Sequence, residues 1–299
     1  MVDTPFEIQS FLTSGGYKLH YRHYHSVGIP KATIVFIHGI QSHGGWYESS
    51  CKKFAQAGYR VLFLDRRGSG LNEASKGDSP SFRTLLDDLK EFLQYQRKEI
   101  GEATPLILGA ISWGGKIAFG LEIRMANLVD GFVLLAPGFC PKVHPTRKER
   151  FFIALGSLFT PRRLFNIPLN DPELFTANPS AQKFLKEDPL ALRKATARFL
   201  LDSVRLDFYL RMFRTKINKP ILLLIAGLDK IIDNEKTIAF VKGFALGSLI
   251  IKEYPKAHHT FEFEPEPQLH IEEIKEWLEV QIKKERPLHS SKEPLLKSN

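Results

Sequence analysis

A serine, an aspartate and a histidine, spread over 148 residues of this chain, are placed as the parts of an acyl-transfer site. Ser112 lies in Leu106-Ile-Leu-Gly-Ala-Ile-Ser-Trp-Gly-Gly115, a run of strand formers that breaks into small residues around one serine. A strand turning sharply into a helix holds such a hydroxyl above a sheet, and the residues two before and two after it must be small. Here they are Ala110 and Gly114, so the expected Gly-x-Ser-x-Gly is met except for one methyl at Ala110. A serine hydroxyl becomes a nucleophile only when a base takes its proton and a carboxylate orients that base. Asp229, just beyond the apolar run Ile221–Ala226, is the preferred carboxylate. Asp233 is the fallback, and it also reads as a cap for the helix that follows. Ala257-His-His-Thr-Phe261 supplies the base, and the pattern of residues leaves His258 and His259 both open.

Attack on a carbonyl creates an oxyanion that needs preorganised N–H donors. One is expected from Trp113, directly after the nucleophile, and another from the loop Ile37-His-Gly-Ile-Gln41, where Ile40 is the choice. His38 reads as structural, while His43 either touches substrate or hydrogen-bonds its own loop. Cys51 and Cys140 read as free thiols, and neither sits at a strand-to-helix turn. No phosphate loop ends in Gly-Lys-Ser or Gly-Lys-Thr, and no His/Cys cluster has zinc spacing, so neither cofactor nor metal is expected.

The elements that must position these groups alternate. Phe6–Leu12 and Tyr17–Tyr24 read as a hairpin split by Ser14-Gly-Gly16. Strands follow at Ala32–Ile37, Tyr59–Leu64, Pro105–Ile111, Gly131–Leu135, Ile221–Ala226 and Ser248–Tyr254. Helices are expected at Gly45–Ala57, Ser81–Lys98, Gly114–Met125, Asn234–Phe244 and His270–Lys284. That order argues an α/β fold with a doubly wound, mostly parallel sheet. The domain reading is a core in two parts, 1–138 and 219–284, interrupted by a helical cap or lid at 139–218 and followed by a polar tail at 285–299.

Within the interruption, Lys148–Phe159 and Leu192–Phe213 have helical periodicity, with Asn178-Pro179 and Asp188-Pro189 as punctuation between them. Phe151, Phe152 and Phe159 are expected to line an acyl pocket, with Phe165 beside them. The net charge is +9, and sixteen Lys or Arg against seven Asp or Glu fall between Cys140 and Lys219, so this segment carries the entire excess. Arg147, Lys148, Arg150, Arg162 and Arg163 are therefore expected to meet an anionic membrane surface or a phosphate head group. No recognised nucleic-acid module holds these cations, and no nucleic-acid partner is expected. The N-terminus lacks a basic stretch followed by an apolar one, and no apolar run approaches the ~20 residues that span a bilayer, so the expectation is a cytoplasmic protein, at most peripheral to a membrane.

Taken together, these residues resemble the α/β-hydrolase family, and within it the monoglyceride lipase, lysophospholipase and serine aminopeptidase group. The resemblance spans about Tyr17 to Glu285. It is carried by His38-Gly39 with His43 and Tyr47, Asp65-Arg-Arg-Gly-Ser-Gly70, the Ser112 turn, Ile225-Ala-Gly-Leu-Asp229 with Asp233, and Ala257-His-His259. It implies a Ser112–His259–Asp229 triad, with His259 chosen over His258, and an oxyanion hole from the Ile40 and Trp113 amides. The chain departs from the pattern at Ala110 and at Leu71-Asn72, where relatives often carry a serine. The expected activity is hydrolysis of a small acyl ester, a monoacylglycerol or lysophospholipid, through an acyl-enzyme. A peptidase or amidase using the same groups competes with it, as does a catalytically silent binding member of the fold.

Overall fold

The computed structural model describes residues 5–266 and 268–285. The terminal segment read as a tail lies, from residue 286 on, outside the described residues. In chain order the core begins with β1 (Phe6–Leu12), β2 (Lys18–Tyr24), β3 (Thr33–Ile37), a 3₁₀ turn Gly44–Tyr47, α1 (Glu48–Gln56), β4 (Arg60–Leu64), α2 (Phe82–Ile100), β5 (Leu106–Ile111), α3 (Gly114–Arg124) and β6 (Gly131–Leu135). An inserted segment follows, with α4 (Arg147–Phe159), β7 (Leu164–Asn166), α5 (Pro179–Glu187), β8 (Lys194–Thr196) and α6 (Ala197–Met212). The core resumes with β9 (Ile221–Ala226), α7 (Asn234–Phe244), β10 (Leu249–Tyr254) and α8 (Gln268–Glu285).

Eight strands form one sheet in the order β1-β2-β4-β3-β5-β6-β9-β10. The β1–β2 and β2–β4 pairings are antiparallel, and every pairing from β4 to β10 is parallel. The central strands β5, β6 and β9 have no polar side chain and are buried at every position because helices cover both faces. On β3, Val35 and Ile37 enter the core under α2 and α3, while Ile34 and Phe36 enter the core under α1 and α8, as the two-residue repeat of a strand requires. This sheet with its crossovers is an α/β-hydrolase fold.

Two parts of the insertion differ from the expectation. The helix read at Leu192–Phe213 begins only at Ala197, because Lys194–Thr196 pairs as an antiparallel strand with Leu164–Asn166. Thr196 ends that strand and caps α6, its hydroxyl accepting from the Phe199 amide at 3.3 Å. Between the two punctuating prolines lies α5, a helix that the periodicity does not mark: Pro179 occupies its first turn, and the Asn178 side chain accepts from the Ser180 amide at 3.1 Å.

Candidate active site

Strand β5 delivers Ser112 at the carboxyl edge of the sheet in a left-handed conformation, with φ of 51°. A non-glycine residue adopts that conformation only when its surroundings hold it there. Here the Ser112 amide donates to Leu135 O at 3.0 Å, and its carbonyl accepts from the Gly138 amide at 2.7 Å. The turn brings α3 hard against the end of β3: a Cβ on Gly114 would sit 2.8 Å from His38 O. Ala110 is fully buried in the core between Ile37 and Leu134, so the methyl that breaks the glycine pattern is absorbed there.

Three groups meet at this turn. His259 Nε2 is 2.9 Å from Ser112 Oγ, and His259 Nδ1 is 2.7 Å from Asp229 Oδ2. The other Asp229 oxygen accepts from the Ile231 and Ile232 amides at 2.7 and 3.0 Å. Burial would raise the Asp229 pKa, but His259 and these two amides outweigh it and hold the carboxyl below its usual range. It is therefore ionised at neutral pH, and Nδ1 of His259 is the nitrogen that carries the proton toward it. Loop proximity makes this possible: a Cβ at Gly227 would stand 2.5 Å from Pro255 O, so only glycine lets the loop bearing Asp229 pass the one bearing His259.

His258 is turned elsewhere, its Nδ1 lying 3.2 Å from Glu264 Oε1. Asp233 caps α7, accepting from the Lys236 amide at 3.1 Å and pairing with Lys236 Nζ at 2.7 Å. Among the described residues neither the Ile40 nor the Trp113 amide has an intramolecular acceptor, and both residues line the cavity that opens at Ser112. His38 is buried, accepting from the Arg66 amide through Nε2 at 3.1 Å and meeting Gly39 O through Nδ1 at 2.8 Å. Burial and the neighbouring Arg66 push its pKa down to about 3, so it is a neutral strut.

The cavity beside Ser112 has a volume of about 470 Å³ and lies between the core and the insertion. Its lining corrects two expectations. Phe151, Phe152 and Phe159 do not line it: they are 64%, 41% and 75% exposed on the outer side of α4. Nor does Phe165, which packs against Gly156. The inward face of α4 is Ile153 with Gly156, whose missing side chain lets the helix approach Ala197 of α6. This helix is apolar around more of its circumference than one core face uses, so periodicity selected the wrong stripe. His43 does not line the cavity either. It is buried, its Nδ1 accepting from the Gly45 amide at 3.1 Å, so Nε2 carries the proton donated to Asp188 at 2.9 Å.

Asp188 and Arg66 are residues whose roles the sequence did not disclose. Asp188 belongs to the insertion, yet its buried carboxylate also accepts from Trp46 Nε1 at 2.6 Å and from the Leu190 amide at 2.9 Å. Burial opposes its ionisation, but the His43 and Trp46 donors prevail and lower its pKa to about 2. Arg66 donates to Ile40 O at 2.5 Å and lies 5.3 Å from the centre of the Trp113 ring, bracing both flanks of the candidate oxyanion site. The motif Asp65-Arg-Arg-Gly-Ser-Gly70 was the signal for Arg66. Asn72, in the Leu71-Asn72 departure, donates to Asp65 O and Arg66 O at 2.6 and 3.0 Å.

Residues 28–266 match the family described as serine aminopeptidase, S33. The chain belongs to that family of α/β hydrolases. It is 25% identical to a monoacylglycerol lipase of Mycolicibacterium smegmatis over 93% of this chain and 99% of the relative. It is 23% identical to the phospholipase YtpA of Bacillus subtilis, over 79% and 91% respectively. A crystal structure of a soluble variant of the Saccharomyces cerevisiae monoglyceride lipase, in complex with a substrate analog, superposes with a TM-score of 0.81 at 20% identity, covering 94% of this chain and 97% of that one. Among the described residues no helix is long and apolar enough to cross a membrane, and no group of three or more His, Cys, Asp or Glu could hold a metal ion.

Proposed function

We propose that the chain is a serine hydrolase that cleaves the carboxylic ester of a single-chain lipid, a monoacylglycerol or a lysophospholipid. The observation that carries the reading is the line Ser112–His259–Asp229, with hydrogen bonds of 2.9 and 2.7 Å and Ser112 held at positive φ. His259 Nε2 takes the proton as Ser112 Oγ attacks the acyl carbon, and the Ile40 and Trp113 amides receive the oxyanion. His259 then gives that proton to the departing alkoxide, leaving an acyl-Ser112 ester. Water deprotonated by His259 releases the acid and restores Ser112. Asp229 stabilises the imidazolium in both halves.

The insertion acts in this reading as a lid. Its outer surface carries Phe151, Phe152, Leu158 and Phe159 from α4 and Phe208 and Met212 from α6, all exposed, among exposed Arg147, Lys148, Arg162 and Arg163. Apolar side chains ringed by cations suit the interface of an anionic bilayer, from which a monoacyl lipid is drawn. The relatives named as lipases and as a phospholipase support the lipid ester. The family's description favours a second reading, cleavage of an aminoacyl amide by the same groups.

The test is a panel of fatty acyl glycerols, lysophospholipids and aminoacyl amides given to the parental chain and to Ser112→Ala. Ester turnover should fall at least ~10³-fold in the variant, with loss of labelling by a fluorophosphonate. Parental-rate hydrolysis by Ser112→Ala sinks the assignment, and amide turnover exceeding ester turnover selects the second reading.

A further inference from the structure

The cavity beside Ser112 contains charge for which the acyl-transfer steps have no use. Lys116 follows Ser112 by about one turn of helix along α3, is 4% exposed, and places Nζ 2.6 Å from Asp207 Oδ1 of α6. Ser203, one turn before Asp207, accepts from Trp113 Nε1 at 2.8 Å. All three line the cavity together with Ser112, and much of the remaining lining is apolar, including Ile153, Ile167 and Leu169. An ammonium has three donors, and among the described residues Asp207 is its one acceptor; the hydroxyl proton of Ser203 also lacks an acceptor there. Burying the Lys116 ammonium against a partly exposed Asp207 is costly, and joining α3 to α6 alone needs only packed apolar side chains.

We infer that Lys116, Asp207 and Ser203 are specificity-determining residues that bind the neutral, polyhydroxyl alcohol portion of the ester. The inference rests on the ester-hydrolase reading above. A vicinal diol both donates and accepts, and this wall offers a cationic donor, an anionic acceptor and a hydroxyl within two turns of helix. Asp207 neutralises Lys116, so this pair by itself presents no net positive charge to a phosphate, while Arg150 and His144 line the cavity outside the pair. The Lys116–Asp207 pair with Ser203 therefore matches the hydroxyls of a glycerol-type head, leaving the apolar lining to the acyl chain.

The experiment uses the full chain and three detergent-dispersed esters of one fatty acid: the glyceryl ester, the methyl ester and the lysophosphatidic acid. The double variant Lys116→Met/Asp207→Leu removes both charges, so no lone buried charge remains. Its kcat/KM for the glyceryl ester relative to the methyl ester should fall about tenfold, the loss of a hydrogen bond or two to substrate, while methyl-ester turnover holds within about threefold. A merely structural pair would depress both esters alike, leave the ratio unchanged and overturn the inference. Parental preference for the phosphate ester also overturns it. Absence of parental turnover on all three overturns the ester-hydrolase reading itself, and the inference with it. Should the double variant not fold, Ser203→Ala is measured in its place, with the same ratio expected to fall about threefold and an unchanged ratio counting against the subsite.

Discussion

Asp188→Asn isolates the anchor between the insertion and the loop bearing Ile40. The Asp188 carboxylate receives His43 Nε2, Trp46 Nε1 and the Leu190 amide, and its side chain is 4% exposed. Lowering a carboxyl from its ordinary 3.8 to about 2 favours the ionised, bonded form by ~2 kcal/mol. Asparagine keeps the volume, but it loses the charge and turns a donor toward donors, which adds roughly 1 kcal/mol. The expected loss is ~3 kcal/mol, or on the order of 10 °C in Tm for a chain of this size. Because the folded pKa lies below the unfolded one, the stabilisation is full above pH ~4 and is lost as pH falls toward 2. Thermal and urea unfolding of both proteins at pH 7 and pH 3 should therefore give a difference about 1 kcal/mol smaller at pH 3. A loss below ~1 kcal/mol at pH 7, or one equally large at pH 3, would refute the claim that an ionised Asp188 ties the insertion down.

Two further outcomes follow from the site and its cover. Asp229→Asn, which leaves the carboxamide to face His259 Nδ1, should lower kcat ~10³- to 10⁴-fold with an unchanged circular dichroism spectrum, and near-parental turnover would remove Asp229 from the proposed relay. Phe151→Ser/Phe152→Ser/Phe159→Ser should weaken binding to anionic vesicles by more than about tenfold while sparing hydrolysis of a water-soluble ester, since these rings lie outside the cavity; equal vesicle binding, or loss of soluble-ester turnover, goes against that division.

The core sheet was readable because each parallel strand is a short apolar run closed by turn residues, and each crossover helix repeats its apolar residues at helical spacing. Ser112, Asp229 and the pair His258 and His259 were readable because strand ends at one edge of such a sheet are where side chains converge. His258 and His259 share one loop and one chemistry, so only the direction each ring takes, toward Glu264 or toward Ser112, separates them. The outward turn of Phe151, Phe152 and Phe159 was hidden for a related reason. Helix α4 has more apolar residues than one buried face holds, and the side that packs is chosen by the close fit of Gly156 against Ala197.

The sequence by itself determined which segments alternate as strand and helix, where the small residues permit a sharp turn at Ser112, and that all excess positive charge falls between Cys140 and Lys219. Those properties are local, written in periodicity, residue size and composition. Tertiary structure alone decided that Asp188 reaches His43 across 145 residues, that Arg66 braces the Ile40 loop, and that Lys116 meets Asp207 inside the cavity. Each joins residues distant in the chain, and a buried polar group finds its partner only when packing has removed water and fixed the distance between them.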